Sequence, residues 1–202
     1  MKSLLLLILS FFYSLLSGLS YDKTWTINGR IRVRIEGLSL SQRMKKNRTG
    51  KLTIGKNFKC NSNFTSNSIG LIQPCFFHIA KGDANLTIGN NVGISGSTIN
   101  VTLKVEIGNN VLVGSGCLIT DTDSHPLHWS ERMAGHKALS SPVYVRDNVF
   151  IGARTIILKG VEIGAGSVIG AGSVVSKSIP PNSIACGNPA RVVKSIECLE
   201  IM

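Results

Sequence analysis

The chain is poor in aromatic residues, at 6%, and poor in acid, with 11 Asp and Glu against 22 Lys and Arg. Few aromatics and many glycines (21 among 202 residues) argue against a globular core built on large rings and favour stacked layers of small and β-branched side chains. No C-x-x-C pair occurs, and the five cysteines, Cys60, Cys75, Cys117, Cys186 and Cys198, are odd in number. That pattern reads as reduced thiols rather than a disulfide framework or a zinc site. Cys117 and Cys186 read as packing residues. Nor is there an apolar run of the ~20 residues that a full bilayer span needs. The nearest, Leu4 to Leu19, is interrupted by Ser10, Ser14, Ser17 and Gly18. It fits either a secretory signal or a retained membrane-associated helix, because Lys2 precedes it and small residues follow it.

The shortage of acid is local. Residues 22–59 carry eleven basic side chains against Asp22 and Glu36. Such a segment is either a solvated basic arm or one drawn to an anionic membrane face or acidic glycan, so residues 1–59 are the candidate membrane contact. Its cations are not interleaved with an aromatic stacking platform, which argues against nucleic acid.

What the chain has in abundance is a period of six. Val145, Ile151, Ile157, Ile163, Ile169 and Val175 fall on it, as do Ile88–Ile94 and Ile107–Val113–Ile119. A helix repeats near 3.6 residues and an alternating strand at 2, so a sustained six marks a parallel β-helix built from hexapeptides. Three short strands close one triangular coil, and the aliphatic residue of each hexapeptide stacks on its counterpart ~4.8 Å away in the next coil. The spacing from Ile88 to Ile107 is one residue longer than three hexapeptides, which predicts a bulge near Asn100–Leu103. From Ile119 to Val145 the beat skips a twenty-residue excursion and then resumes in phase. That excursion, Asp121 to Ser141, holds three of the four histidines. A rigid solenoid that throws out one His-bearing loop is a scaffold presenting a site.

The domain reading is therefore residues 1–20, a hydrophobic helix; 21–50, a basic arm or cap with a short strand pair at Trp25–Ile27 and Ile31–Ile35; 51–193, the β-helix with loop 121–141; and 194–202, a tail. Residues 58–84 read as irregular, degraded repeats.

Five segments carry a resemblance. They are Asp121-Thr122-Asp123-Ser124-His125-Pro126-Leu127, Asn148-Val149-Phe150-Ile151-Gly152-Ala153, Ile169-Gly170-Ala171-Gly172-Ser173-Val174-Val175, Ile179-Pro180-Pro181-Asn182, and Gly187-Asn188-Pro189-Ala190-Arg191-Val192-Val193. Together they span about residues 86 to 195, and that half of the chain resembles the hexapeptide-repeat acyltransferases, in the galactoside, maltose and polysaccharide O-acetyltransferase branch. The resemblance implies an all-β fold, a left-handed coil, a homotrimer, and acetyl-CoA in the groove between neighbouring subunits. It implies transfer of an acetyl group to a sugar hydroxyl of a cell-surface glycan, with N-acetylation of an amino-sugar nucleotide and a non-catalytic binding module as rivals. Because acetyl-CoA is cytoplasmic, it favours the retained N-terminal helix and a cytoplasmic protein at the inner membrane face.

The resemblance also implies roles for particular residues. His125 matches the catalytic base, suited to the task by an imidazole pKa near neutrality. Ala153 matches a backbone amide near the thioester, placed to stabilise an oxyanion. Ala171, Ser176 and Lys177 match the path of the cofactor arm, and Arg191 and Lys194 the cations near its nucleotide phosphates. Asp121 and Asp123 are candidates to orient His125 or to receive a sugar hydroxyl, with turn capping as the alternative. Ser95 stands where the family usually has an acceptor-contacting Asn, and Phe150 where it often has Trp. No metal is expected. His78, His125 and His128 do not have the spacing of the γ-class carbonic anhydrases that share the fold.

Overall fold

The computed structural model describes residues 24–29, 31–35, 50–80 and 83–196. The expected helix at 1–20, most of the basic linker and the end of the tail lie outside the described residues.

Six coils follow one another. The first comprises β1 (Thr26–Gly29), β2 (Arg32–Ile35) and β3 (Lys51–Ile54); the second β4 (Lys59–Ser62), β5 (Phe76–Ile79) and β6 (Asn85–Ile88). The third comprises β7 (Gly93–Ser95), β8 (Thr98–Val101) and β9 (Lys104–Ile107); the fourth β10 (Leu112–Val113), β11 (Leu118–Thr120) and β12 (Val143–Val145). The fifth comprises β13 (Phe150–Ile151), β14 (Ile156–Ile157) and β15 (Glu162–Ile163). The sixth has β16 (Val168–Ile169), β17 (Val174–Val175) and Ile179, bridged in parallel to Ile163. A hairpin of β18 (Ser183–Gly187) and β19 (Ala190–Ser195) ends the stack.

Strands that are three apart in sequence stack into three parallel faces. The first face runs β1-β4-β7-β10-β13-β16-β18-β19, the second from β2 to β17, and the third from β3 to β15. Their registers produce three inward columns: Ile94–Val113–Ile151–Ile169–Ala185, Phe77–Ile99–Ile119–Ile157–Val175 and Ile54–Ile88–Ile107–Val145–Ile163. All of these except the end-coil Ile54 are buried, so the beat of six in the sequence is the core itself. Each such Val or Ile contributes about 1.5–3 kcal/mol through removal of its side chain from water.

The edge between the third and first faces is held by an asparagine ladder. Asn57, Asn91, Asn110 and Asn148 all have φ between 55 and 60°. The Nδ2 of each of the first three donates to the Oδ1 of the Asn one coil on, at 2.8 to 3.0 Å. Asn tolerates the left-handed region there, and its amide replaces the sheet bonding that a tight corner cannot make.

Several expectations need correction. The strands near Trp25–Ile35 exist, but they do not pair with each other. β1 pairs in parallel with β4 and β2 with β5, so the first coil begins at Thr26 instead of Lys51, and the 21–50 segment is not simply an arm. The stretch 58–84 holds two regular strands, β4 and β5, and its irregularity is confined to an excursion between them and a short corner after β5. Cys60 and Cys75 are both buried at the neck of that excursion, where the hydrogen bond that its thiol donates to Cys75, together with burial, pushes the Cys60 thiol far up. Cys117 is buried, but Cys186 is exposed on the terminal hairpin, with its Cβ beside Gly170.

Candidate functional site

Two edges carry the chemistry, and they lie on opposite sides of the second face. The first edge joins the first and second faces, and the coils approach so closely there that side chains are excluded. A Cβ on Gly114 would sit 2.6 Å from the Ala153 nitrogen, and one on Gly152 would sit 2.5 Å from the Ala171 nitrogen. Glycine at these positions lets consecutive corners stack. The Arg154 and Gly172 amides bond to the neighbouring coil. The Ala153 and Ala171 N–H groups have no hydrogen-bond partner among the described residues. The result is a column of free donors suited to the carbonyls of a ligand lying along the edge.

The second edge carries the loop from Asp121 to Ser141. Its neck is closed by the antiparallel bridge Thr122–Ser140, by the Asp123 N–H to the Leu139 carbonyl at 3.0 Å, and by the Ser141 N–H to the Asp121 carbonyl at 2.8 Å. A short helix, α1 (Trp129–Met133), forms its outer part. His125 is exposed, with no side-chain hydrogen-bond partner among the described residues, while Pro126 beside it is buried. The Arg132 guanidinium donates to the carbonyls of Pro126 at 2.9 Å and Leu127 at 2.6 Å, which fixes the segment that carries the imidazole.

The two aspartates separate into different jobs. Asp121 is 0% exposed. Its Oδ1 accepts the Thr102 N–H at 2.8 Å, and its Oδ2 accepts those of Leu103 at 2.7 Å and Lys104 at 2.6 Å. Burial pushes its carboxyl above the usual range, against the opposing pull of these three donors. Its carboxylate is committed to the corner that takes the extra residue between Asn100 and Leu103, so the geometry favours the capping alternative and leaves no oxygen for a sugar. Asp123 is the opposite case. Its Oδ1 meets Lys159 Nζ at 3.0 Å, and its Oδ2 is buried with no partner among the described residues.

The remaining candidates divide between the edges. Ala153 and Ala171 share the first edge, and Arg191 and Lys194 lie exposed on β19, the last strand of the adjoining face. Ser176 and Lys177 are exposed beyond the other side of the second face, toward the edge that carries His125. Phe150 is 48% exposed on the outside of the first face, between Leu112 and Val168 in register. Ser95 is buried, and its Oγ accepts from Asn61 Nδ2 at 3.1 Å and Asn67 Nδ2 at 3.0 Å. Among the described residues no group of three His, Cys, Asp or Glu side chains converges as metal ligands. His78 instead pairs its Nδ1 with Asn100 Oδ1 at 2.7 Å.

Sequence reasoning missed three features: Arg132, Lys159 and the excursion between β4 and β5. That excursion climbs the first edge. Ser115 Oγ donates to the Gly70 carbonyl at 3.0 Å, and Gln73 Nε2 to Thr98 Oγ1 at 2.8 Å.

A stack of parallel hexapeptide coils, with open amides along one edge and a histidine loop at the next, defines a solenoid that presents a site at its corners. Residues 142–177 match the bacterial transferase hexapeptide family model of six repeats. The galactoside O-acetyltransferase of Escherichia coli strain K12 is 42% identical over 127 residues, covering 61% of this chain and 59% of the relative. A galactoside acetyltransferase solved with coenzyme A superposes with a TM-score of 0.57 at 32% identity, over 73% of this chain and 66% of that one. A hexapeptide-repeat acetyltransferase of Vibrio cholerae, solved with acetyl coenzyme A, superposes with a TM-score of 0.54 at 25% identity, over 80% of each chain. The chain spans about half the length of the curated relatives it matches. The chain is thus similar, over a parallel β-helix, to the hexapeptide-repeat acetyltransferases, and residues 142–177 match their repeat.

Proposed function

We propose that the protein is a CoA-dependent O-acetyltransferase that moves the acetyl group of acetyl-CoA to a sugar hydroxyl in cell-surface polysaccharide synthesis. The observation that carries this reading is the column of open amides at Ala153 and Ala171. A donor with a thioester carbonyl and an amide-bearing arm is what such a column fits. Arg191 and Lys194, exposed at the end of the stack, supply cations for its phosphates. His125 takes the hydroxyl proton, the oxygen attacks the thioester carbonyl, and the Ala153 N–H donates to the oxygen that gains charge. The carbon–sulfur bond then breaks, and the imidazolium returns the proton to the leaving thiolate. No step calls for a metal.

His125 and Ala153 sit at different edges of one chain, so a complete centre is built from two copies, the histidine loop of one reaching the first edge of the next. Apolar side chains are exposed where such a neighbour would pack: Leu112 and Phe150 on the first face, and Leu127, Trp129, Met133 and Leu139 on the loop. A homotrimer satisfies this arrangement by cyclic closure. The acceptor class is supported by the galactoside relative. A cytoplasmic location at the inner membrane face, through residues 1–59, follows from the donor and the basic segment. Among the described residues no helix is long and apolar enough to cross a membrane.

The test is calorimetric titration of CoA and acetyl-CoA into the wild type and His125→Ala, with thiol release followed against a panel of glycans. Both proteins are expected to bind the donor equally, and thiol release in the variant is expected to fall by about 10²–10⁴-fold. Absence of donor binding in the wild type would contradict the proposal.

A further inference from the structure

The excursion between Ser62 and Phe76 builds a cleft against the first edge. Its volume is about 350 Å³. Ile69 and Ile72 form one wall, 68% and 65% exposed, and Gly116, Ala153 and Arg154 face them. The open Ala153 N–H therefore stands at the foot of an aliphatic wall.

The chemistry of the lining is selective. Its only polar side chains are Ser115 and Arg154, and the Ser115 hydroxyl is spent on the Gly70 carbonyl. A sugar ring seated here would leave several hydroxyls without partners, which is costly on desolvation. An acyl group asks for one donor to its carbonyl oxygen and an apolar surface for its alkyl end, and both are present. The cleft also exceeds what an acetyl group fills, since one water molecule takes only about 30 Å³ of liquid.

We infer that this cleft is the acyl pocket, that Ile69 and Ile72 set the chain length it accepts, and that short straight-chain acyl groups longer than acetyl fit it. The inference rests on the acyl-CoA donor reading above and adds to it a specificity wall supplied by the excursion.

The test measures binding of CoA, acetyl-CoA, butanoyl-CoA and hexanoyl-CoA by calorimetry for the wild type, Ile72→Trp and Ile72→Ala. Turnover with the acyl donors is followed alongside. Each methylene buried against the wall tightens binding by about fourfold, so the wild type, with two more methylenes to bury, is expected to hold butanoyl-CoA about fifteenfold more tightly than acetyl-CoA. Ile72→Trp should erase that gain and leave CoA affinity unchanged, and Ile72→Ala should extend acceptance to hexanoyl-CoA. A butanoyl-to-acetyl ratio that is the same in all three proteins would overturn the inference while leaving the donor reading intact. Failure of the wild type to bind CoA itself would overturn the donor reading, and with it this inference.

Discussion

The Asp121 side chain shows how much one residue of this solenoid can hold. Its two oxygens accept three consecutive backbone N–H groups at the corner where the preceding coil carries its extra residue. Asp121→Ala would bury three unpaired donors, and we expect a loss of about 3–5 kcal/mol, read as a lowered midpoint in thermal or urea unfolding. A change under about 0.5 kcal/mol would mean that the corner is held by other means. Both halves of this contact were visible in the sequence, as the one-residue excess near Asn100–Leu103 and as an aspartate one coil later. Their pairing was not, because it depends on which carboxylate oxygens face inward. Ser95 is a similar case. Position suggested contact with an acceptor, but two asparagines, Asn61 and Asn67, from a stretch without a readable period occupy its hydroxyl. The loop that carries His125 was legible because it interrupts the beat between Ile119 and Val145. Arg132, which fixes the carbonyls next to it, carried no signal beyond being a charged residue on a short helix.

Among the elements, the histidine loop is the one whose anchoring bears on turnover. Lys159, from the corner after β14, pairs with Asp123 at the loop neck, and the Gly160 N–H donates to the Ser141 carbonyl at 3.0 Å on the other strand of that neck. We expect Lys159→Met to cost about 1–3 kcal/mol, because the pair is mostly buried and the Asp123 carboxylate would be left without a partner. The same substitution should lower kcat by at least about tenfold, because a misplacement of about 1 Å at reacting atoms can cost about 10²-fold. Equal affinity for acetyl-CoA in the variant separates this from damage to the first edge, and an unchanged kcat would remove Lys159 from any positioning role. The elements also show where the sequence was hard to read. Ile27 and Val33 are six apart and belong to the first coil, but as an end coil it buries them only in part, and the flanking Arg32 and Arg34 make the stretch look like an ordinary exposed strand pair. The second coil was obscured because thirteen residues separate β4 from β5, which breaks the beat between Cys60 and Phe77.

The molecule as a whole has a rigid core of three aliphatic columns and places its two chemical edges on either side of one face. The columns were legible from periodicity alone. The division of the site between edges was not, because a repeat specifies what stacks along the axis and says little about which corners a neighbouring copy brings together. The central claim at this scale is that one reaction centre draws His125 from one copy and the open amides from the next. Two variants test it. His125→Ala lacks the base and keeps the first edge, whereas Ala171→Trp keeps the base and blocks the donor path at an exposed position. Each alone should be inactive. Co-expressed in equal amounts and assembled at random, they should regain about a quarter of wild-type acetyl transfer, the share of sites that pairs an intact loop with an intact edge. If the mixture stays as inactive as the separate variants, the base and the amides act within a single chain, and the shared-site account is contradicted.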